Sequence, residues 1–174
     1  MIDGAPERLA GPRIKHLAAS GFHWLIGLEC GKRGPRVKAY RDSRGIPTLG
    51  VGQTEIKANG KWRRVEMADR FASVAEAEAA FAHTVTLYEA AVDAACRDDI
   101  TQEVFDTMTS FCYNIGISGF KNSDAVRLLN QMMPVDRVSA AMMNWHRPPE
   151  VVERRCCECD LLVRGVYRLQ GQAL

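Results

Sequence analysis

Tyr40-Arg41-Asp42-Ser43-Arg44-Gly45-Ile46-Pro47-Thr48-Leu49-Gly50-Val51-Gly52-Gln53-Thr54 is the stretch that decides the fold. Ser43-Arg44-Gly45 is a turn in which Gly45 can take positive φ. Val37 to Asp42 is expected as a strand before it, and Ile46 to Gly52 as a strand after it. Pro47, Leu49 and Val51 then share one face, and Thr48, Gly50 and Gly52 the other. Two glycines beside one hydroxyl leave that second face bare, and glycine in a strand marks a place where another group approaches the backbone closely. Ala58-Asn59-Gly60 is a second turn that can close a hairpin onto Lys61 to Val65. Residues 31–66 are therefore expected to form a small antiparallel β lobe.

Upstream, Ile14, Leu17, Ala18, Gly21, Phe22 and Leu25 recur at three- and four-residue steps, so a first helix is expected over about residues 12–30. The residues before it carry no period and read as a loose arm. Glu29 continues the apolar stripe. Burying a carboxylate is costly, and periodicity alone favours a solvated residue just past the helix end. Gly31, Gly34 and Pro35 then break the helix.

Downstream the chain is helical. Ser73 and Glu76 form a capping box for a long helix with an apolar face of Val74, Ala77, Phe81, Val85, Tyr88, Val92 and Ala95. Thr101 caps a helix carrying Phe105, Met108 and Cys112, and Ser123 caps a short one with Val126 and Leu129. Another covers Val135 to Trp145. Pro148-Pro149 opens a last helix whose stripe reads Val152, Cys156, Cys159 and Val163. The 174 residues fit one domain, residues 1–174, with a β lobe and a helical lobe over 67–174. Strands segregated from helices make the class α+β, mostly α, and a cleft between two lobes is a common ligand site.

Composition removes several function classes. The net charge is only +2, from 23 basic and 21 acidic residues with no block of one sign, so a nucleic-acid partner is not expected. No run of about 18 apolar residues suggests a membrane span, and the N-terminus lacks the pattern of a signal peptide. The six cysteines are expected as free thiols, given no export signal. Cys156 and Cys159 form a CxxC, but no second ligand pair stands near, so they read as core packing; no metal and no cofactor are expected. The four histidines are scattered without ligand spacing.

Cleaving a glycosidic bond needs one carboxylic acid to protonate the leaving oxygen and a second carboxylate to activate water or attack the sugar. The acid belongs in an apolar setting that keeps its proton, which suits Glu29. The partner belongs in a polar turn, which suits Asp42, and the Thr48 hydroxyl can orient a water. The same residues also fit a solvated, salt-bridged turn.

The segment from Val37-Lys38-Ala39-Tyr40-Arg41-Asp42 through Gly45 and Thr48 to Gly50-Val51-Gly52-Gln53-Thr54 resembles the signature of phage-type lysozymes, the endolysins of glycoside hydrolase family 24. That pattern is a Glu ending the first helix, a strand into Asp, a Gly turn, Thr, and a Gly-x-Gly strand. Phe105-Asp106 with Ser110 through Gly116 is similar to the family's central helix, and Trp145 through Arg154-Arg155 and Glu158 to its C-terminal helices. The resemblance implies a lysozyme-like two-lobed fold and hydrolysis of the β-1,4 bond between N-acetylmuramic acid and N-acetylglucosamine in bacterial peptidoglycan. It implies inversion, with Glu29 as general acid, Asp42 and Thr48 holding the attacking water, and the carboxyls about 6.5–9.5 Å apart. Asn114, Tyr40 and Gly50 are expected to bind substrate, and Arg154 or Arg155 either leans toward Glu29 or is an ordinary helix charge. Trp62 and Trp145 either stack on sugar or pack.

A monomer made in the host cytoplasm is expected, with no stable membrane association. It would act on the periplasmic wall after a holin-type membrane lesion. One departure stands out. Twelve residues separate Glu29 from Asp42, more than the family usually has. The insertion of about four residues in Cys30 to Pro35 either bulges outward at little entropic cost or displaces Glu29. Displacement would leave a non-catalytic wall-binding homologue. A lytic transglycosylase, giving 1,6-anhydro products, is a further alternative.

Overall fold

The computed structural model describes residues 14–172. The first helix, α1, spans Ala19–Cys30 and runs into a short 3-10 turn, Gly31–Arg33. Strands β1 (Arg36–Arg41) and β2 (Pro47–Gly50) pair antiparallel, with Tyr40 opposite Thr48 and Arg41 opposite Pro47. Strands β3 (Glu55–Ala58) and β4 (Lys61–Arg64) form a second antiparallel hairpin. Its Asn59-Gly60 turn has φ of 51° and 78°, the pairing of positive angles that a type I′ turn needs. The two hairpins are separate sheets that share a small core of Leu49, Ile56 and Val65.

The helices are α2 (Val74–Ala95), α3 (Gln102–Ile115), α4 (Ile117–Lys121), α5 (Asp124–Asn130), α6 (Val135–Met143) and α7 (Val152–Arg164). None among the described residues is long and apolar enough to cross a membrane. The expected caps form: the hydroxyls of Ser73, Thr101 and Ser123 accept from the amides of Glu76, Val104 and Val126. Helix α2 joins the lobes. Its Phe81 and Val85 pack with Val51 and with Leu25 and Ile26 of α1, while Ala91 and Val92 enter the main helical core around Phe105, Met108, Phe111 and Cys112.

Three expectations need correction. Helix α1 starts at Ala19, not near residue 12; residues 12 and 13 lie outside the described residues. The amides of Leu17 and Ala18 are taken by the buried carboxylates of Glu89 and Asp106, at 2.8 and 3.3 Å, so residues 14–18 lie as an irregular strap. The second strand stops at Gly50 rather than Gly52. Gly50 and Gly52 have φ of 62° and 76°, and Leu49 and Gln53 bond to each other's backbone across them; they make a turn, not one bare strand face. Finally, α6 ends at Met143, two residues before the expected Trp145. Helix α4 carries no apolar stripe in the sequence.

The C-terminal segment closes over α1. The Trp24 indole donates to the Arg168 carbonyl at 2.7 Å, and Tyr167 donates to Asp106 at 2.7 Å. Leu169 lies so close to Gly27 that a Cβ there would meet it at 2.6 Å.

Candidate active site

Glu29 lies in the last turn of α1, one residue before its end, and is held from three sides. Leu25, Ile26 and Leu28 bury the helix beneath it. Arg154 of α7 donates a short charge-assisted hydrogen bond from Nη1 to Glu29 Oε1. Gly52 faces Oε2, which a Cβ at that glycine would meet at 3.1 Å. A larger residue at position 52 would press on the carboxylate and strain its own backbone. The expected apolar surround is thus only half of what is found: Glu29 rests against a guanidinium. Within Cys30 to Pro35, where displacement of Glu29 was the alternative, the short 3-10 turn faces outward. Gly31, Lys32 and Arg33 are exposed, and open space surrounds Gly31 and Gly34.

Asp42 organises the β1–β2 turn. Its Oδ1 accepts from the amides of Arg44 and Ile46 at 2.9 and 2.8 Å. The Ile46 amide does most to hold the Asp42 pKa below its ordinary value, with the Arg44 amide and guanidinium adding to it. An ionised carboxylate with one oxygen committed to the turn results. The Thr48 hydroxyl is buried, at 2% exposure, and donates to the Ile46 carbonyl at 2.9 Å; its lone pairs remain as acceptors. Tyr40, opposite Thr48 in the ladder, sits under the Arg36 guanidinium. Burial is the main cause of its raised pKa, and Glu29 and Asp42 both add to it.

A cleft of about 320 Å³ opens between the lobes. Glu29, Gly52, Tyr113 and Asn114 line it, together with Arg44, Glu55 and Trp62 from the hairpins. Of the residues expected to catalyse or to meet sugar, the cleft brings together Glu29, Asn114 and Trp62. Asp42 and Thr48 do not line it, although Arg44 of the Asp42 turn does. Gly50 is buried beneath the Gln53 side chain, so it shapes the turn rather than a binding surface. Of the two tryptophans, Trp62 lines the cleft, while Trp145 packs edge-on against Phe111.

The sequence pattern misled most in α7. The expected stripe of Val152, Cys156, Cys159 and Val163 is not the buried face: Val152 and Val163 are exposed, at 37% and 41%. The helix instead buries Arg154, Arg155, Cys157, Glu158, Leu161 and Leu162. Glu158 accepts from Arg154, Arg155 and the Ser110 hydroxyl. Arg155 also donates to Asn114 Oδ1 and the Trp145 carbonyl, and stacks on Phe111. Burial alone would lower the Arg154 pKa, but Glu29 and Glu158 together raise it, so the guanidinium stays charged. The spacing of Arg154, Arg155 and Glu158 matches the ion pairs of a solvated helix face, and nothing local distinguishes the buried case. Sequence reading also missed Tyr113, whose hydroxyl donates to the Val51 carbonyl at 2.7 Å. It missed Gln53 too, which ties Val51 to Thr84 of α2. The six cysteines are free thiols. Cys156 and Cys159 are half-buried at the edge of α7, with Cys159 donating to the Ser139 carbonyl of α6.

Comparison with known proteins gives a consistent result. The family described as phage lysozyme matches residues 31–158, most of the chain but not Glu29. The endolysin of Salmonella phage P22 is 36% identical over 100 residues, which are 57% of this chain and 65% of that protein; the chain spans just under two-thirds of that relative's length. Among solved structures, an endolysin from Escherichia coli O157:H7 phage FAHEc1 superposes with a TM-score of 0.76 at 29% identity, over 88% of this chain and 96% of the other. A P22 lysozyme mutant superposes with a TM-score of 0.69 at 30% identity, over 85% and 98%. The muramidase domain of SpmX from Asticaccaulis excentricus does so at 0.70 and 25%, over 85% and 97%.

Proposed function

The chain belongs to the phage lysozyme family, and from that premise we propose that it is an endolysin-type muramidase. It hydrolyses the β-1,4 bond between N-acetylmuramic acid and N-acetylglucosamine in bacterial peptidoglycan. The observation that carries this reading is the Glu29 carboxyl, fixed by Arg154 on the wall of an open cleft that Asn114 and Trp62 share. Glu29 donates a proton to the leaving oxygen. Asp42, ionised by its turn, and Thr48 hold the attacking water, so the product is inverted. The roles of Asp42 and Thr48 require sugar to reach past Arg44, whose exposed side chain pairs with Asp42 Oδ2 at 3.7 Å.

A monomer made in the host cytoplasm fits this role. It meets the wall only after a holin-type lesion opens the inner membrane. The test is turbidity of chloroform-treated Gram-negative cells after adding purified protein. Lysis is expected, and Glu29→Gln should lower the rate by about 10²–10⁴-fold, as loss of a general acid does, without unfolding the protein. Retention of more than about a hundredth of the activity removes Glu29 from that role. Released muropeptides should carry reducing ends by mass spectrometry; 1,6-anhydro ends would replace hydrolysis by transglycosylation. Wall binding without lysis would indicate the non-catalytic homologue.

A further inference from the structure

Asn114 and Glu29 both line the cleft, and one unbroken chain of side chains joins them. Arg155 donates from Nη2 to Asn114 Oδ1 and from Nη1 to Glu158 Oε2. Glu158 Oε1 accepts from Arg154 Nε at 3.0 Å, and Arg154 Nη1 reaches Glu29. We propose that Arg155 is a positioning residue for substrate. It fixes the Asn114 carboxamide so that the NH2 group faces the cleft and donates to an acceptor oxygen of the bound sugar. The inference rests on the muramidase reading above.

The chemistry of the two groups leaves one arrangement. A guanidinium carries donors and no acceptor, so only the amide oxygen can meet it, and the NH2 arm is turned away from Arg155. Among the described residues no acceptor takes the hydrogens of that arm, and Asn114 is half-buried on the cleft wall. An amide free to flip offers either a donor or an acceptor; one held by Arg155 offers a donor alone. Arg155 itself is held on every side. It is fully buried, its Nε donates to the Trp145 carbonyl at 3.2 Å, and its guanidinium carbon lies 4.7 Å from the centroid of the Phe111 ring. The planar fork thus serves Glu158, Asn114 and Trp145 at once, which the single nitrogen of a lysine does not reproduce. Glu158 is fixed in turn, because its Oε1 also accepts from the Ser110 hydroxyl at 2.7 Å.

Three measurements test this. Asn114→Asp keeps the shape of the side chain, replaces the NH2 group by an acceptor and gives Arg155 a charged partner. Its urea midpoint should equal or exceed that of the wild type. Its KM on purified peptidoglycan should rise about tenfold with kcat within about twofold, the loss of one binding hydrogen bond. An unchanged KM, a lowered midpoint or a fall in kcat alone overturns the proposal. Arg155→Lys should raise KM about tenfold in the wild-type background and less than about twofold in Asn114→Ala, because its effect passes through Asn114. Equal effects in both backgrounds would leave Arg155 a structural residue only. Finally, the N-acetylglucosaminyl-N-acetylmuramic acid disaccharide is titrated into the Glu29→Gln protein, with the Asn114 side-chain NH2 resonances followed by NMR. That pair should shift, and should shift less when Arg155→Lys is added; no shift in the first protein, or an equal one in both, overturns the proposal. This readout needs no turnover. Wild-type protein inactive on peptidoglycan therefore removes the muramidase reading, while the titration still decides the role of Arg155.

Discussion

The two acidic residues proposed for catalysis are held in opposite ways. Asp42 lies in a turn of five residues and takes its bonds from the amides of Arg44 and Ile46. Everything that fixes it is within four residues in the chain. Glu29 is fixed by Arg154, a residue 125 positions away, itself buried among Glu158 and Ser110. The turn is local and solvated; the network is remote and dry. A turn can form before the rest of the fold, whereas the network exists only when α1, α3 and α7 are all in place.

This contrast yields ordered predictions. The largest effect belongs to the network. Arg154→Leu leaves Glu158 buried with one partner fewer and Glu29 with none among the described residues, and should cost about 3–5 kcal/mol, the usual result of removing one member of a buried ion pair. Urea denaturation measures it. A loss below about 1 kcal/mol, the range of exposed pairs, would place the network with the solvated turn and erase the contrast. Gly52→Ala comes next. The positive φ alone should cost about 1 kcal/mol, and lysis should fall as well because the new methyl presses on Glu29. Unchanged lysis in a stable Gly52→Ala protein would show that the carboxylate moves freely, contrary to a rigid clamp.

The smaller effects are titrations. The folded-state pKa of Asp42 is depressed, so its contribution is present above the ordinary aspartate value and is lost as pH falls through the depressed one. An NMR titration should place its midpoint below 3.8; a midpoint at or above that value would mean the turn amides do not hold it. Asp106 behaves in the opposite sense. Burial raises its pKa against the bonds from Tyr167, Gln102 and the Ala18 amide. The folded state then holds the proton more tightly than the unfolded chain does, so stability falls as pH rises from the ordinary aspartate value through the raised one. Denaturation midpoints across that interval should show the decline, and Asp106→Asn should flatten it.

The same contrast explains which features could be read in advance. The Asp42 turn, the Asn59-Gly60 hairpin and the caps at Ser73, Thr101 and Ser123 were legible because each depends on neighbours in sequence. Glu29 is legible as a carboxylate on an apolar stripe, and of the two readings left open for Arg154 the contact with Glu29 is the one found, but the burial of Arg154, Arg155 and Glu158 is not legible, because it violates the pattern by which buried faces are recognised. Sequence reasoning put α7 on its wrong face for that reason and started α1 too early because Glu89 and Asp106, far along the chain, take the amides of Leu17 and Ala18. The bend at Gly50 and Gly52 was read as strand since alternation cannot reveal a Gln53 side chain folded back onto the Val51 amide.

The closure of residues 167–169 over α1 has a consequence for the order of synthesis. A ribosome delivers α1 well before the segment that seats it, 144 positions later at Trp24 and Arg168. Until Trp24 meets the Arg168 carbonyl and Tyr167 reaches Asp106, the helix bearing Glu29 has no lid on its outer side. Arg154, which aligns the carboxylate, also emerges late. N-terminal portions of a chain usually fold ahead of later ones, but here an early-made acid must wait for late-made partners. A nascent chain therefore carries the Glu29 carboxyl before the residues that hold its helix and its side chain have been made.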